Sequence, residues 1–175
     1  MAAKLSLRPW DVAFIAVVAS MLVGIAILGV ASYRAAHDLE KLKRGAELVA
    51  SRLATLGAAR AAGSEQGACA RLPRGSGGGN WGECFAVLRQ APDISAIANV
   101  FVPDNPVFAK ACSTDEPGAR GTIVVEKGTE WFSAGTSGTT YAPLADGEEL
   151  DKEIPLRVRV CGRWGEPVTV REARF

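Results

Sequence analysis

Four cysteines, a single histidine and a run of carboxylates are the residues of this 175-residue sequence whose types could carry chemistry. The cysteines are Cys69, Cys84, Cys112 and Cys161. A zinc site would ask for pairs at C-x-x-C spacing, and no two of them stand that way. An even number of cysteines in a Gly- and Thr-rich region fits two disulfides, and with them an oxidising compartment. Three pairings are open. Cys69–Cys84 with Cys112–Cys161 is the simplest, closing one short loop and joining two strand regions; four free thiols are the remaining alternative.

The other candidates read as solvent-facing. His37 would have to serve any hydroxyl or thiol nucleophile as its base, and no nucleophile motif stands near it. The acidic run Asp146, Glu148, Glu149, Asp151 and Glu153 lacks the alternating Asp/Asn pattern of a calcium loop. Gly75 to Asn80 shares only its glycines with phosphate-cradling loops, because the Lys-Ser/Thr ending is missing. The sequence has no haem-attachment motif, no dinucleotide fingerprint and no charge inside its apolar stretch. Trp81, Trp131 and Trp164 read as exposed, as interface anchors would be, with core packing as the commoner use of an aromatic. The expectation is a non-catalytic chain with no cofactor and no metal. A formal charge of only +1 gives no concentrated basic surface, and so no nucleic-acid partner.

The element that must carry all this is apolar. Val12 to Tyr33 are 22 consecutive residues without a charge. As a helix they would span about 33 Å, against the ~30 Å core of a bilayer. A cleaved signal peptide has a shorter apolar region, so the stretch reads as an uncleaved anchor, with Trp10 at the interface. Basic residues lie on both sides, Lys4 and Arg8 before it and Arg34, Lys41, Lys43 and Arg44 after it. A literal count leans towards the C-terminal side inside. The cysteines argue the opposite, and the expectation follows them: residues 1–11 cytoplasmic, 12–33 in the membrane, the remainder outside the cytoplasm.

Within the anchor, Ala16, Ser20 and Gly24 recur every fourth residue, the small-residue spacing that lets a second helix approach in lipid. Beyond it, Leu39, Leu42, Ala46, Val49, Leu53 and Leu56 are spaced by three and four, as in a coiled-coil or bundle seam. Glu40 and Arg44 support the opposite face. The seam either docks a neighbouring helix or packs on the chain's own domain. One helix from about Trp10 to Ala62 follows, with residues 34–62 as its extramembrane continuation and Gly63 as its C-terminal cap.

Residues 63–175 read as a disulfide-stapled, β-rich domain. A loop over 63–83 and a short helix over Glu83–Gln90 precede strands at Ser95–Val102 and Val107–Ala111. A hairpin is expected at Thr122–Glu126 and Thr129–Ser133 around Lys127-Gly128. Ala134–Glu153 reads as an exposed loop, Leu156–Cys161 as a strictly alternating strand and Pro167–Arg171 as a closing strand. The fold class is therefore α+β: a long transmembrane-to-extramembrane helix, then a small, mainly antiparallel sheet.

The transition Ile25–Ala50 (IAILGVASYRAAHDLEKLKRGAELVA), followed by a loop and a sheet with Cys112 and Cys161 near its end, resembles type IV pilins and pseudopilins. The Gly before the apolar run and the Glu five residues into it, both usual in that family, are not in this chain. The resemblance implies a filament or envelope subunit that packs through its N-terminal helix. Ala91–Asn105 is similar to a segment of Cache-type sensors, which implies ligand binding outside the cytoplasm. Sensors of that class also carry a second membrane helix and an output domain, and neither is found between Met1 and Phe175. The leading expectation is a structural subunit whose partners are the lipid bilayer and other membrane subunits or copies of itself. A membrane-anchored, ligand-binding sensory module is the alternative.

Overall fold

The computed structural model describes residues 8–62, 69, 80–133, 135–148 and 154–175. The expected Gly63 cap, the glycine run before Asn80, and Glu149, Asp151 and Glu153 lie outside them. The chain divides into two units, Met1–His37 and Asp38–Phe175.

The first unit is the opening stretch of α1 (Pro9–Ala61). Pro9 suits the first helical position, where a missing N–H leaves no helical bond unmade. Arg8 caps it: its carbonyl accepts from the Asp11 and Val12 amides, and its own amide donates to the Asp11 carboxylate at 3.0 Å. None of the most apolar stretch is buried, and the helix is long and apolar enough to cross a membrane. Side chains such as Phe14, Met21, Ile25 and Leu28 face outwards with no protein over them.

The second unit is built on the rest of α1. Leu42, Ala46, Val49, Ala50, Leu53 and Gly57 are its buried positions. They recur at three- and four-residue steps, one face of a helix. Against that face packs a four-stranded antiparallel sheet in the order β2-β1-β3-β4, from β1 (Ile123–Ser133), β2 (Thr136–Pro143), β3 (Pro155–Cys161) and β4 (Pro167–Arg174). Leu156, Val158 and Val160 alternate inwards from β3, opposite Lys127, Val125 and Ile123 of β1. Fully burying a Leu or Val in this way is worth about 1.5–3 kcal/mol. Helix α1 approaches the end of the chain so closely that a Cβ on Gly57 would stand 2.5 Å from the Phe175 Cα.

Two short helices cover the remaining side of the core. Asn80 caps α2 (Trp81–Gln90), its side-chain oxygen accepting from the Glu83 amide at 2.9 Å. Pro92, which cannot continue α2, opens α3 (Pro92–Ser95). Arg52 of α1 holds Asp93 of α3 at 2.9 Å. That hydrogen bond, opposed by partial desolvation, keeps the Asp93 carboxyl below the usual carboxylate range. Trp81, expected on the surface, is only 1% exposed, and its ring packs tilted against Phe175 and Phe85, with centroids 4.5 and 5.6 Å away.

Several expected strands are otherwise. Ser95–Val102 is the end of α3 followed by irregular chain, because Asn99 takes the backbone bonds a strand would need. Its side-chain oxygen accepts from the Phe101 and Val102 amides at 3.1 and 2.9 Å, and its amide donates to the Arg120 carbonyl at 2.8 Å. Val107–Ala111 makes only one parallel bridge, Phe108 to Ile123. The expected turn at Lys127-Gly128 is uninterrupted β1. Glycine stands there for close approach: a Cβ on Gly128 would meet Thr139 at 2.5 Å and Pro155 at 2.8 Å. The chain reverses instead next to Gly135, whose φ of 84° only glycine adopts easily. Thr136–Pro143 of the expected loop is therefore β2. Strand β4 runs on to Arg174, beyond the expected end at Arg171.

Gly57→Ala should lower the thermal unfolding temperature of the full chain in detergent. Alanine favours a helix by about 0.8–1 kcal/mol, but here its methyl meets backbone that cannot move aside. Gly45→Ala meets only the Ile97 side chain at 2.9 Å and should lower it less. A stabilised Gly57→Ala chain would show that the contact is looser than described.

Candidate functional site

The cysteines form two disulfides, Cys69–Cys84 and Cys112–Cys161, with Cα–Cα separations of 4.9 and 5.3 Å. The first ties α2 to the segment that follows α1, and the second ties the end of β3 to the irregular region before the sheet. Both fit an oxidising compartment. The Thr122 hydroxyl stands 3.3 Å from the Cys161 sulfur in the core.

His37 is exposed at the end of the first unit, 6.4 Å ring to ring from Tyr33. Asp146 pairs with Lys110 at 3.6 Å, and Glu148 pairs with Lys127. These carboxylates are thus matched by lysines. Among the described residues no group of three or more His, Cys, Asp or Glu could hold a metal ion.

Of the expected packing residues, Leu42, Ala46, Val49 and Leu53 lie buried in the core, and Leu39 and Leu56 pack partly buried against it. The seam from Leu39 to Leu56 is thus covered by the chain's own domain, which leaves that face closed to another helix. Ala16 and Ser20 are exposed, Gly24 is half-exposed, and nothing stands within 4 Å of a Cβ built on Gly24. The Ser20 hydroxyl donates back to the Val17 carbonyl at 2.8 Å, so it makes no demand on a partner.

Three surfaces of the second unit emerge only in three dimensions. The first is a groove of about 380 Å³ between α2, the Phe108–Lys110 segment, the start of β1 and the chain after β2. Phe85, Ile123, Val125 and Leu144 give it a buried apolar floor, and Arg89, Lys110 and Asp146 give it a charged rim. The Arg89 guanidinium lies 5.1 Å over the Phe108 ring.

The second is the face of the sheet turned away from α1. Glu126, 9% exposed, receives Arg157 at 2.6 Å and Arg159 at 3.0 Å. Arg157 in turn covers the Tyr141 ring at 4.0 Å. Burial, and then the Glu172 carboxylate, push the Tyr141 phenol up. Further along the same face, Arg174 pairs with Glu130 at 2.8 Å. This face is a closed set of ion pairs and holds the strands in register.

The third is the far half of the β1–β2 hairpin. Strand β3 pairs with β1 only from Ile123 to Lys127, whereas β2 pairs with it out to Ser133. Past Gly128 the hairpin is therefore a two-stranded ribbon outside the sheet. Trp131 lies over Gly138, where a Cβ would meet its ring at 2.7 Å, and remains 43% exposed. Phe132 is 81% exposed. The sequence signalled this ribbon in one way: Trp131 to Ala145 carry no charge in a chain that is 22% charged. The groove had no such signal, because its rim comes from three separate segments.

Compared with protein-family models, curated proteins and solved structures, the chain has no match.

Glu126→Gln should destabilise the full chain by about 2–3 kcal/mol in thermal or chemical unfolding, because two half-buried guanidinium groups lose their carboxylate. Replacing Arg159 by Met as well should restore part of the loss. A neutral Glu126→Gln would mean that solvent, not the carboxylate, satisfies both arginines.

Proposed function

We propose that this chain is a single-pass, non-catalytic subunit of a larger membrane or cell-envelope assembly. Its apolar stretch would lie in the bilayer, and its disulfide-stapled unit outside the cytoplasm. The observation that carries the reading is the bare apolar stretch of α1, from Val12 to Tyr33, whose large side chains have no protein over them. Water does not tolerate such a surface, so lipid and neighbouring helices are its natural cover. The stripe Ala16, Ser20 and Gly24 offers the close approach that helix pairs use in lipid. In the second unit disulfides bind the cysteines, and lysines or arginines pair with Glu40, Asp93, Glu126, Glu130, Asp146 and Glu148. A pilin-like filament subunit is one form this reading takes, supported by the resemblance of the membrane-to-water transition.

A second reading, an anchored ligand-binding module, is favoured by the groove beneath Leu144 and Asp146. It calls for ligand-dependent shifts in the unfolding temperature of the full chain, because residues 42–57 belong to the core and cannot be cut away.

Purification of the full chain in mild detergent, with the protein mass read by light scattering, separates the readings. The assembly reading expects a multimer or a stoichiometric complex. A lone monomer, with no co-purifying partner, would overturn it.

A further inference from the structure

The two edges of the sheet are treated very differently by the sequence. On the β4 edge stand Pro167, Arg171, Glu172 and Arg174, and its pairing with β3 shifts register between Arg171 and Thr169. Proline, charge and irregularity are the usual ways of closing an edge to further pairing. The β2 edge has none of them between Thr136 and Ala142. It is eight residues long, with a proline only at its last position, Pro143; it is uncharged, rich in threonine and nearly all exposed, and no strand among the described residues pairs with its outer side. Part of it belongs to a ribbon with only one neighbour, and two strands alone are marginally stable in water.

We propose that the β2 edge is a docking site for an extended, uncharged segment of a partner subunit, whose acidic end enters the groove beside it. This rests on the assembly reading and names the partner's chemistry. Self-pairing is the obvious alternative, and geometry opposes it. Two copies joined antiparallel along β2 would be related by a two-fold axis perpendicular to the sheet. Helix α1 from Asp38 onward lies on the sheet, so that axis would reverse it. The Asp38 ends of the two copies would then point in opposite directions, an arrangement that does not suit two chains whose Asp38 ends both lead to one bilayer. A strand from another subunit carries no such constraint.

The groove supplies the polarity. Strand β2 ends at Pro143, and the next residues, Leu144 and Asp146, form one wall of the cavity that carries Arg89 and Lys110. Arg89 makes no salt bridge among the described residues. The Lys110–Asp146 pair is largely exposed on both sides, and such a pair is readily exchanged for a better acceptor. Among the described residues that line it, the rim is thus one positive charge in excess, with Asp146 as the opposing carboxylate. A segment pairing antiparallel with β2 brings its N-terminal end to this point. Uncharged residues suit the edge itself, and a carboxylate suits the groove.

The test uses the full chain in detergent and two labelled, acetylated peptides of alternating threonine and valine. One has two glutamates at its N-terminal end and the other has two lysines. Fluorescence anisotropy should show the glutamate peptide binding about tenfold more tightly, a difference of about 1.4 kcal/mol. Arg89→Gln should erase most of that preference. Neighbouring residues of a strand aim their N–H groups to opposite sides, so of Thr139→Pro and Thr140→Pro one removes an outward donor and leaves the β1 ladder whole. That variant, identified by its retained unfolding temperature, should lose binding of both peptides. Absence of saturable binding, or binding indifferent to both prolines, would overturn the edge as the site. Equal affinity for the two peptides would overturn the acidic end. Either failure, alongside a multimer in the light-scattering measurement, would leave the assembly reading standing.

Discussion

The second unit depends on one close contact, that of the small-residue face of α1 with the sheet and the chain end. Ala46, Ala50 and Gly57 keep the helix surface low, so that Leu42, Val49 and Leu53 reach into the same core as Leu156, Val158 and Val160. Phe175 is 2% exposed because Gly57 leaves room for its backbone and Trp81 packs tilted against its ring. Remove that approach and α2, β4 and the hydrogen bonds between Ile154 and Phe175 lose their common support.

The same contact decides what α1 can offer to others. Its residues beyond Asp38 spend their apolar side chains on the chain's own domain, whereas those before Tyr33 have no protein cover. A helix with one covered and one bare stretch divides its roles along its length.

How much of this was legible in the sequence varied with the range of the interaction. The long helix, the inward alternation of Leu156, Val158 and Val160, the strand at Pro167 and the cysteine pairing all follow from local period or simple loop closure. The misread parts are those in which a side chain or a distant segment overrides the local pattern. Asn99 ties up the backbone of an apparently strand-like run. Gly128, read as a turn glycine, is a place where Thr139 and Pro155 press on the strand. The seam from Leu39 to Leu56 had the spacing of a coiled coil, and spacing alone does not distinguish a second helix from a sheet. The groove and the unequal edges needed the strand order, which no single segment encodes.

The account turns on the stretch Val12–Tyr33 lying in a bilayer. Alkaline carbonate extraction of membranes from cells making the full chain tests this most directly. The wild-type chain should stay with the lipid pellet. A Leu22→Arg, Ile25→Arg variant should pass into the supernatant, since each charge at mid-bilayer costs about 2.5–3.5 kcal/mol on insertion scales. A wild-type chain released by carbonate would contradict the account.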